Sequence, residues 1–208
     1  VATYVTVANL AASKIGEDDQ LRSPDDDTHI GRTVKAVWDA VRRAAIRDHT
    51  WNFAMRRKGL AAEALDDVPY PWAYSYPEAA ESLRLVQVLN LPAGESYQLE
   101  GGSILCNVAG PLYVRYLVDV PEPARWDDLF VEAMACRLAF QIGPRIAGSE
   151  YDKGTGWKVY QAALAQAKRV DARENPQVEN ELTDWELARL GYTSGIGVSR
   201  GPTGNIIL

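Results

Sequence analysis

The chain has 208 residues, 47% hydrophobic and 24% charged, with a formal net charge of −6. These values exclude disorder over the whole length, and they exclude a general nucleic-acid binder, which needs clustered cations to meet phosphates. No run of about 18 apolar residues occurs, so no membrane span is expected, and Val1-Ala2-Thr3-Tyr4 lacks the basic and apolar regions of a secretion signal.

In chain order, Val5, Ala8, Ala12 and Ile15 repeat at helical spacing and predict a first helix from about Tyr4 to Ile15, stopped at Gly16. The acidic stretch from Glu17 to Asp27, interrupted by Pro24, reads as a loop whose last carboxylates cap the next helix. That second helix is predicted over about Thr28 to His49, with Ile30, Val34, Val37, Val41 and Ala44 as its apolar stripe. Trp51-Asn52-Phe53-Ala54 follows directly, where aromatics close a core, and then Arg56-Arg57-Lys58.

The middle changes character. Pro69, Pro71 and Pro77 exclude a long helix there, and Tyr70, Trp72, Tyr74 and Tyr76 alternate with them. Four strands are predicted: Leu83 to Leu89, Tyr97 to Glu100, Ser103 to Cys106 and Leu112 to Val118. Gly101-Gly102 is a two-residue hairpin signal between the second and third. In the fourth, Leu112, Val114, Tyr116 and Val118 share one face while Tyr113 and Arg115 share the other, as in a half-buried antiparallel sheet.

A third helix is predicted over about Asp127 to Ile146, apolar on two arcs and therefore deeply buried. A fourth is predicted from about Glu150 to Glu174, with Trp157, Tyr160, Leu164 and Ala167 inward. After Pro176, the residues Trp185, Leu187, Leu190, Tyr192, Ile196, Ile206 and Ile207 are spread among glycines and polar residues, the composition of an arm that orders on a partner. The expected fold is α+β, mainly α: a four-helix bundle with a small antiparallel β insert and an extended C-terminal arm. Its parts are 1–66 and 125–175 for the two halves of the bundle, 67–124 for the insert and 176–208 for the arm. The expected bundle core is Trp38, Trp51, Phe53, Phe130, Met134, Leu138, Trp157 and Tyr160.

Signals for chemistry are weak. His29 and His49 stand alone, without a second His or a Cys at zinc-ligand spacing. Cys106 and Cys136 lie among apolar neighbours and read as buried, reduced thiols. Gly154-Thr155-Gly156-Trp157-Lys158 lacks the spacing of a phosphate loop and reads as a helix-starting turn. The acidic clusters at Glu17 to Asp19 and Asp25 to Asp27 lack the alternating order of a calcium loop. The aromatic cluster from Tyr70 to Tyr76 has the side chains of a stacking platform, but such residues more often pack a loop against its own domain. Catalytic residues, cofactor and metal are all expected to be none. Glu132, Glu150, Glu179 and Glu181 stay open only as an alternative, a tail-associated cell-wall hydrolase using paired carboxylates.

Several segments resemble the tail tubular protein A family of short-tailed phages. These are Ala8-Asn9-Leu10-Ala11-Ala12-Ser13-Lys14-Ile15-Gly16, Trp38-Asp39, Arg42-Arg43, and His49-Thr50-Trp51-Asn52-Phe53-Ala54. Further on they are Tyr74-Ser75-Tyr76-Pro77, Leu83-Arg84-Leu85, Arg115-Tyr116, Leu138-Ala139, and Ala167-Lys168 through Glu174-Asn175. The Trp-Asn-Phe-Ala string is the distinctive piece, and Glu78-Ala79-Ala80-Glu81 departs from the family pattern. The resemblance spans roughly residues 5 to 176. It implies a non-enzymatic virion protein, a head-to-tail adaptor ring of about twelve copies with heterologous contacts. Such a ring sits in the phage neck, assembled in the host cytoplasm. It docks on the portal protein, receives the tail tube or nozzle, and leaves a channel for DNA without sequence-specific binding. The arm residues Trp185 to Ile207 would contact the portal or a neighbouring subunit.

Overall fold

The computed structural model describes residues 1–64 and 68–174. The arm, with Trp185, Leu187, Leu190, Tyr192, Ile196, Ile206 and Ile207, lies outside the described residues.

Four α-helices form: α1 (Tyr4–Lys14), α2 (His29–Arg47), α3 (Asp128–Ile146) and α4 (Lys153–Glu174). Their starts are chemically marked. Thr3 Oγ1 accepts from Thr6 N, and Thr28 Oγ1 accepts from Gly31 N at 3.1 Å. Asp127 Oδ1 accepts from Leu129 N and Phe130 N, filling donors that have no partner in the first turn. Asp152 takes the same role for α4, accepting from Gly154 N and from the Thr155 hydroxyl. The acidic loop does not cap α2 as expected. The carboxylate of Asp26 instead accepts from Arg22 N and Ser23 N inside the loop, and these backbone bonds hold its pKa below the usual value.

The expected four-helix bundle with a small β insert is overturned by two three-stranded antiparallel sheets. The first sheet has the order β1-β6-β3, from β1 (Met55–Leu60), β6 (Leu112–Val118) and β3 (Ser82–Val88). The second has the order β2-β5-β4, from β2 (Tyr74–Pro77), β5 (Ser103–Cys106) and β4 (Tyr97–Glu100). β1 starts one residue after the Trp-Asn-Phe-Ala string, inside the stretch assigned to the bundle, and pairs with β6 from Met55↔Leu117 to Leu60↔Leu112. The sheets therefore join the helices in one fold and are not an insert between two bundle halves. A continuous core runs from Val7 and Val34 through Leu117 and Val114 to Tyr76 and Ile104.

The helices do not pack as a bundle either. α3 is the common neighbour of α1, α2 and α4. Its two apolar arcs explain this, since Phe130, Met134, Leu138 and Ile142 lie buried together with Ala133, Cys136 and Ala139.

On β6 the predicted alternation holds at the outer end, where Leu112 and Val114 are buried and Tyr113 is exposed. At the inner end Leu117 is buried as well, because that end has protein on both faces. Gly101 and Gly102 adopt φ of +58° and +86°, the left-handed geometry a tight hairpin between β4 and β5 requires. The pairing of β3 with β6 shifts register twice, between Ser82 and Arg84 and between Leu85 and Gln87, bulges that increase local twist.

Candidate assembly interface

The distinctive His49–Ala54 string lies where three helices meet. Trp51 is fully buried, its indole N–H donates to Ala45 O at 3.2 Å, and its ring meets Phe130 edge-on at 4.8 Å. His49 stands edge-on to the same indole, and Phe53 stacks on it at 6.1 Å. Asn52 closes the far side: its backbone N–H donates to Asp171 Oδ1 at 3.0 Å and its side-chain amide to Asp171 O at 2.9 Å. The end of α2 is thus tied to α3 by aromatic packing and to the last turns of α4 by hydrogen bonds.

His49 Nε2 sits 3.2 Å from Asp171 Oδ2, at an angle that makes no hydrogen bond. Burial pushes the imidazole pKa below its usual value and the Asp171 carboxyl above its own, because burial disfavours the charged form of each.

Two further polar clusters lock the frame. Tyr160 Oη donates to Asp48 Oδ2 at 2.6 Å, Arg137 Nη1 donates to Tyr160 Oη at 2.9 Å, and Arg137 also pairs with Asp48. Burial first, and then the Asp48 hydrogen bond, push the Tyr160 phenol well up. Arg42, only 4% exposed, grips Asp119 with both prongs, Nε to Oδ1 at 2.8 Å and Nη2 to Oδ2 at 2.7 Å. Its Nη1 reaches Asp39 Oδ1 at 2.5 Å, and Arg43 adds a contact to Asp119 at 3.1 Å. This cluster clamps α2 to the segment leaving β6.

Of the expected core residues, Trp38, Trp51, Phe130, Met134, Leu138 and Tyr160 are buried and Phe53 is partly so. Trp157 is corrected: it is 47% exposed. Its ring leans on Phe140 at 5.2 Å and on Tyr160 at 5.5 Å, so one edge packs while the rest faces outward. Helical spacing does not separate a residue at the margin of a stripe from one at its centre. Trp126 was missed as a core residue. It stacks on Trp38 at 6.0 Å and donates its indole N–H to Val120 O at 2.8 Å. Its sequence signal is an aromatic just before the capping Asp127.

Two of the four carboxylates offered for hydrolysis, Glu132 and Glu150, fall among the described residues. Glu132 is ion-paired with Lys14. Glu150 lines a cavity of about 260 Å³ with Lys14, Tyr151 and Thr155, and the second acid there, Asp152, is committed to capping α4. Glu179 and Glu181 lie outside the described residues. No group of three or more His, Cys, Asp or Glu that could hold a metal occurs among the described residues. Cys106 and Cys136 are free and buried, and burial raises the Cys136 thiol. The Tyr70–Tyr76 aromatics split: Tyr70 is 97% exposed, whereas Tyr76 is fully buried and donates to Val108 O and Gly110 O. They do not form one stacking platform.

Apart from Leu89 and Tyr113 beside the β1-β6-β3 sheet, exposed apolar groups among the described residues collect at two places. One is β4, which pairs on a single side and whose four residues are all exposed, Tyr97 and Leu99 included. By register Leu99 lies beside Ile104 and Tyr97 beside Cys106, both fully buried, so the apolar row continues past the covered part of the sheet. The other is the start of α4, with Trp157 and Val159. An open strand edge and an uncovered aromatic suit protein contacts. The chain matches no family model and no curated protein.

Proposed function

We propose that this chain is a structural subunit of a phage particle, a head-to-tail adaptor that assembles into a ring on the portal, receives the tail tube or nozzle, and leaves a channel for DNA. It acts in the neck of the virion, after assembly in the host cytoplasm, and performs no catalysis. One observation carries the reading. The residues through which the chain resembles that family are the ones that make its joints: Trp51 and Asn52 at the three-helix junction, Arg42 and Arg43 on Asp119, Tyr76 at the β5–β6 turn. A frame locked at these joints suits a stiff ring subunit, and open surfaces on separate elements, β4 and the start of α4, suit head-to-tail contacts.

Electron microscopy of the full chain mixed with portal particles tests it. The expected result is added density of a ring below the portal, of about twelve copies in the family pattern. Deleting residues 176–208 should leave residues 1–174 folded and abolish docking. A chain that never binds portals, and instead clears cell wall in a zymogram, with clearing lost in Glu132→Ala or Glu150→Ala, refutes the proposal in favour of a hydrolase.

A further inference from the structure

The outer half of the β1-β6-β3 sheet carries an electrostatic conflict. Arg57 on β1 lies directly opposite Arg115 on β6, and like charges placed opposite one another destabilise a strand pair. Gln87 of β3 flanks Arg115 on the other side. The alternation of side chains puts Gly59 and Tyr113 on the same face, with the Tyr113 ring lying close over Gly59. Arg57 is exposed, Tyr113 is 51% exposed, and Arg115 Nε is buried without a hydrogen-bond partner. Neither guanidinium has an ion pair among the described residues. Two unneutralised arginines side by side on one sheet face suit an anionic partner from outside the chain.

The loop between α1 and α2 holds the complement. Asp25 pairs with Lys35 and Asp27 with Arg32, Asp26 binds the backbone of Arg22 and Ser23, and Glu17 accepts from Asp19 N. Asp18 and Asp19 are exposed, and their carboxylates engage no described group. Two adjacent free carboxylates match two adjacent free guanidiniums, and bidentate pairing of that kind fixes geometry as well as affinity.

Resting on the adaptor reading, we infer that Asp18 and Asp19 of one copy dock on Arg57 and Arg115 of the next, giving the ring its head-to-tail contact. A contact between two different patches is heterologous and closes into a ring when the rotation permits. Duplex DNA is the weaker occupant. The chain is net acidic, and a pair of unpaired cations on one face neutralises too few phosphates to hold a duplex.

The test uses full-length chains carrying Asp19→Cys alone or Arg57→Cys alone, with different tags, mixed with and without portal particles and mildly oxidised. The native thiols are buried. Mixed dimers should exceed self-dimers of either variant by about tenfold, because self-pairing sets like charges together. The paired variants Asp18→Arg/Asp19→Arg and Arg57→Glu/Arg115→Glu should each lose rings on portals and regain them when mixed. Arg57→Glu alone covers the case in which the Arg115 change unfolds the sheet, as read by circular dichroism. Mixed dimers no more frequent than self-dimers overturn the contact. So do rings indifferent to charge reversal, which leave the adaptor reading standing. Preferred mixed dimers from a chain that never binds portals would sink the adaptor reading and keep the contact. Loss of retained duplex DNA with intact rings would assign the arginines to nucleic acid and overturn the proposal.

Discussion

Asp119→Ala is the sharpest test of the frame. The substitution leaves Arg42 charged, 4% exposed and stripped of its bidentate partner, with only the solvent-facing Asp39 beside it. Stranding one member of a buried pair costs about 3–5 kcal/mol. Because the Asp119 side chain keeps 20% exposure, water can partly reach the stranded cation, and the low end, about 3 kcal/mol, is expected. With a urea slope of about 2 kcal/mol/M, the unfolding midpoint should fall by about 1.5 M. Adding Arg42→Met should recover part of the loss, since it removes the stranded charge and keeps apolar volume. A midpoint drop under about 0.5 M, or a double variant as unstable as the sum of the singles, refutes the reasoning. The pH dependence gives a second check. Burial alone would raise the Asp119 pKa, but the hydrogen bonds and charges of Arg42 and Arg43 outweigh it and hold it below 3.8. A depressed carboxylate stabilises fully above its unfolded pKa and loses that contribution as pH falls through the folded value. The stability gap between wild type and Asp119→Ala should therefore narrow only below about pH 4.

Gly156→Ala should destabilise by about 1–3 kcal/mol in thermal melts, because its Cβ would run into the Tyr151 hydroxyl; Tyr151→Ala in the same chain should relieve the clash. For His49, whose pKa is depressed by burial, the folded state resists protonation, so stability should fall as pH drops below 6.5 toward the folded value. His49→Gln should flatten that fall in denaturant titrations between about pH 8 and 5.5, and an unchanged slope would count against it. At lower pH Asp171, raised by burial, works in the opposite direction, since protonating it relieves the cost of a buried charge. Leu99→Lys on exposed β4 should change stability by less than about 0.5 kcal/mol yet weaken ring formation on portals, measured by particle counting.

Local physics made much of the chain legible before any tertiary contact was known. Four helices follow from apolar residues recurring every three or four positions. β4, β5 and β6 follow from alternation around the Gly101-Gly102 turn, since both patterns express the geometry of one element. β1 was not legible, because Met55-Arg56-Arg57-Lys58-Gly59-Leu60 has neither a β-branched run nor clean alternation. Only pairing with β6, which lies more than fifty residues downstream in sequence, makes it a strand. β2 was hidden by Pro77 at its end, and its partner β5 likewise lies far along the chain. The Arg42–Asp119 clamp, the Asn52–Asp171 tie and the opposed Arg57 and Arg115 arise the same way. The one-dimensional chain thus specified which segments curl and which extend, through interactions within a few residues. Which segments become neighbours, and so which charges are matched and which are left facing outward, was decided by long-range packing around α3 and the two sheets, where the free energy comes from surfaces distant in sequence.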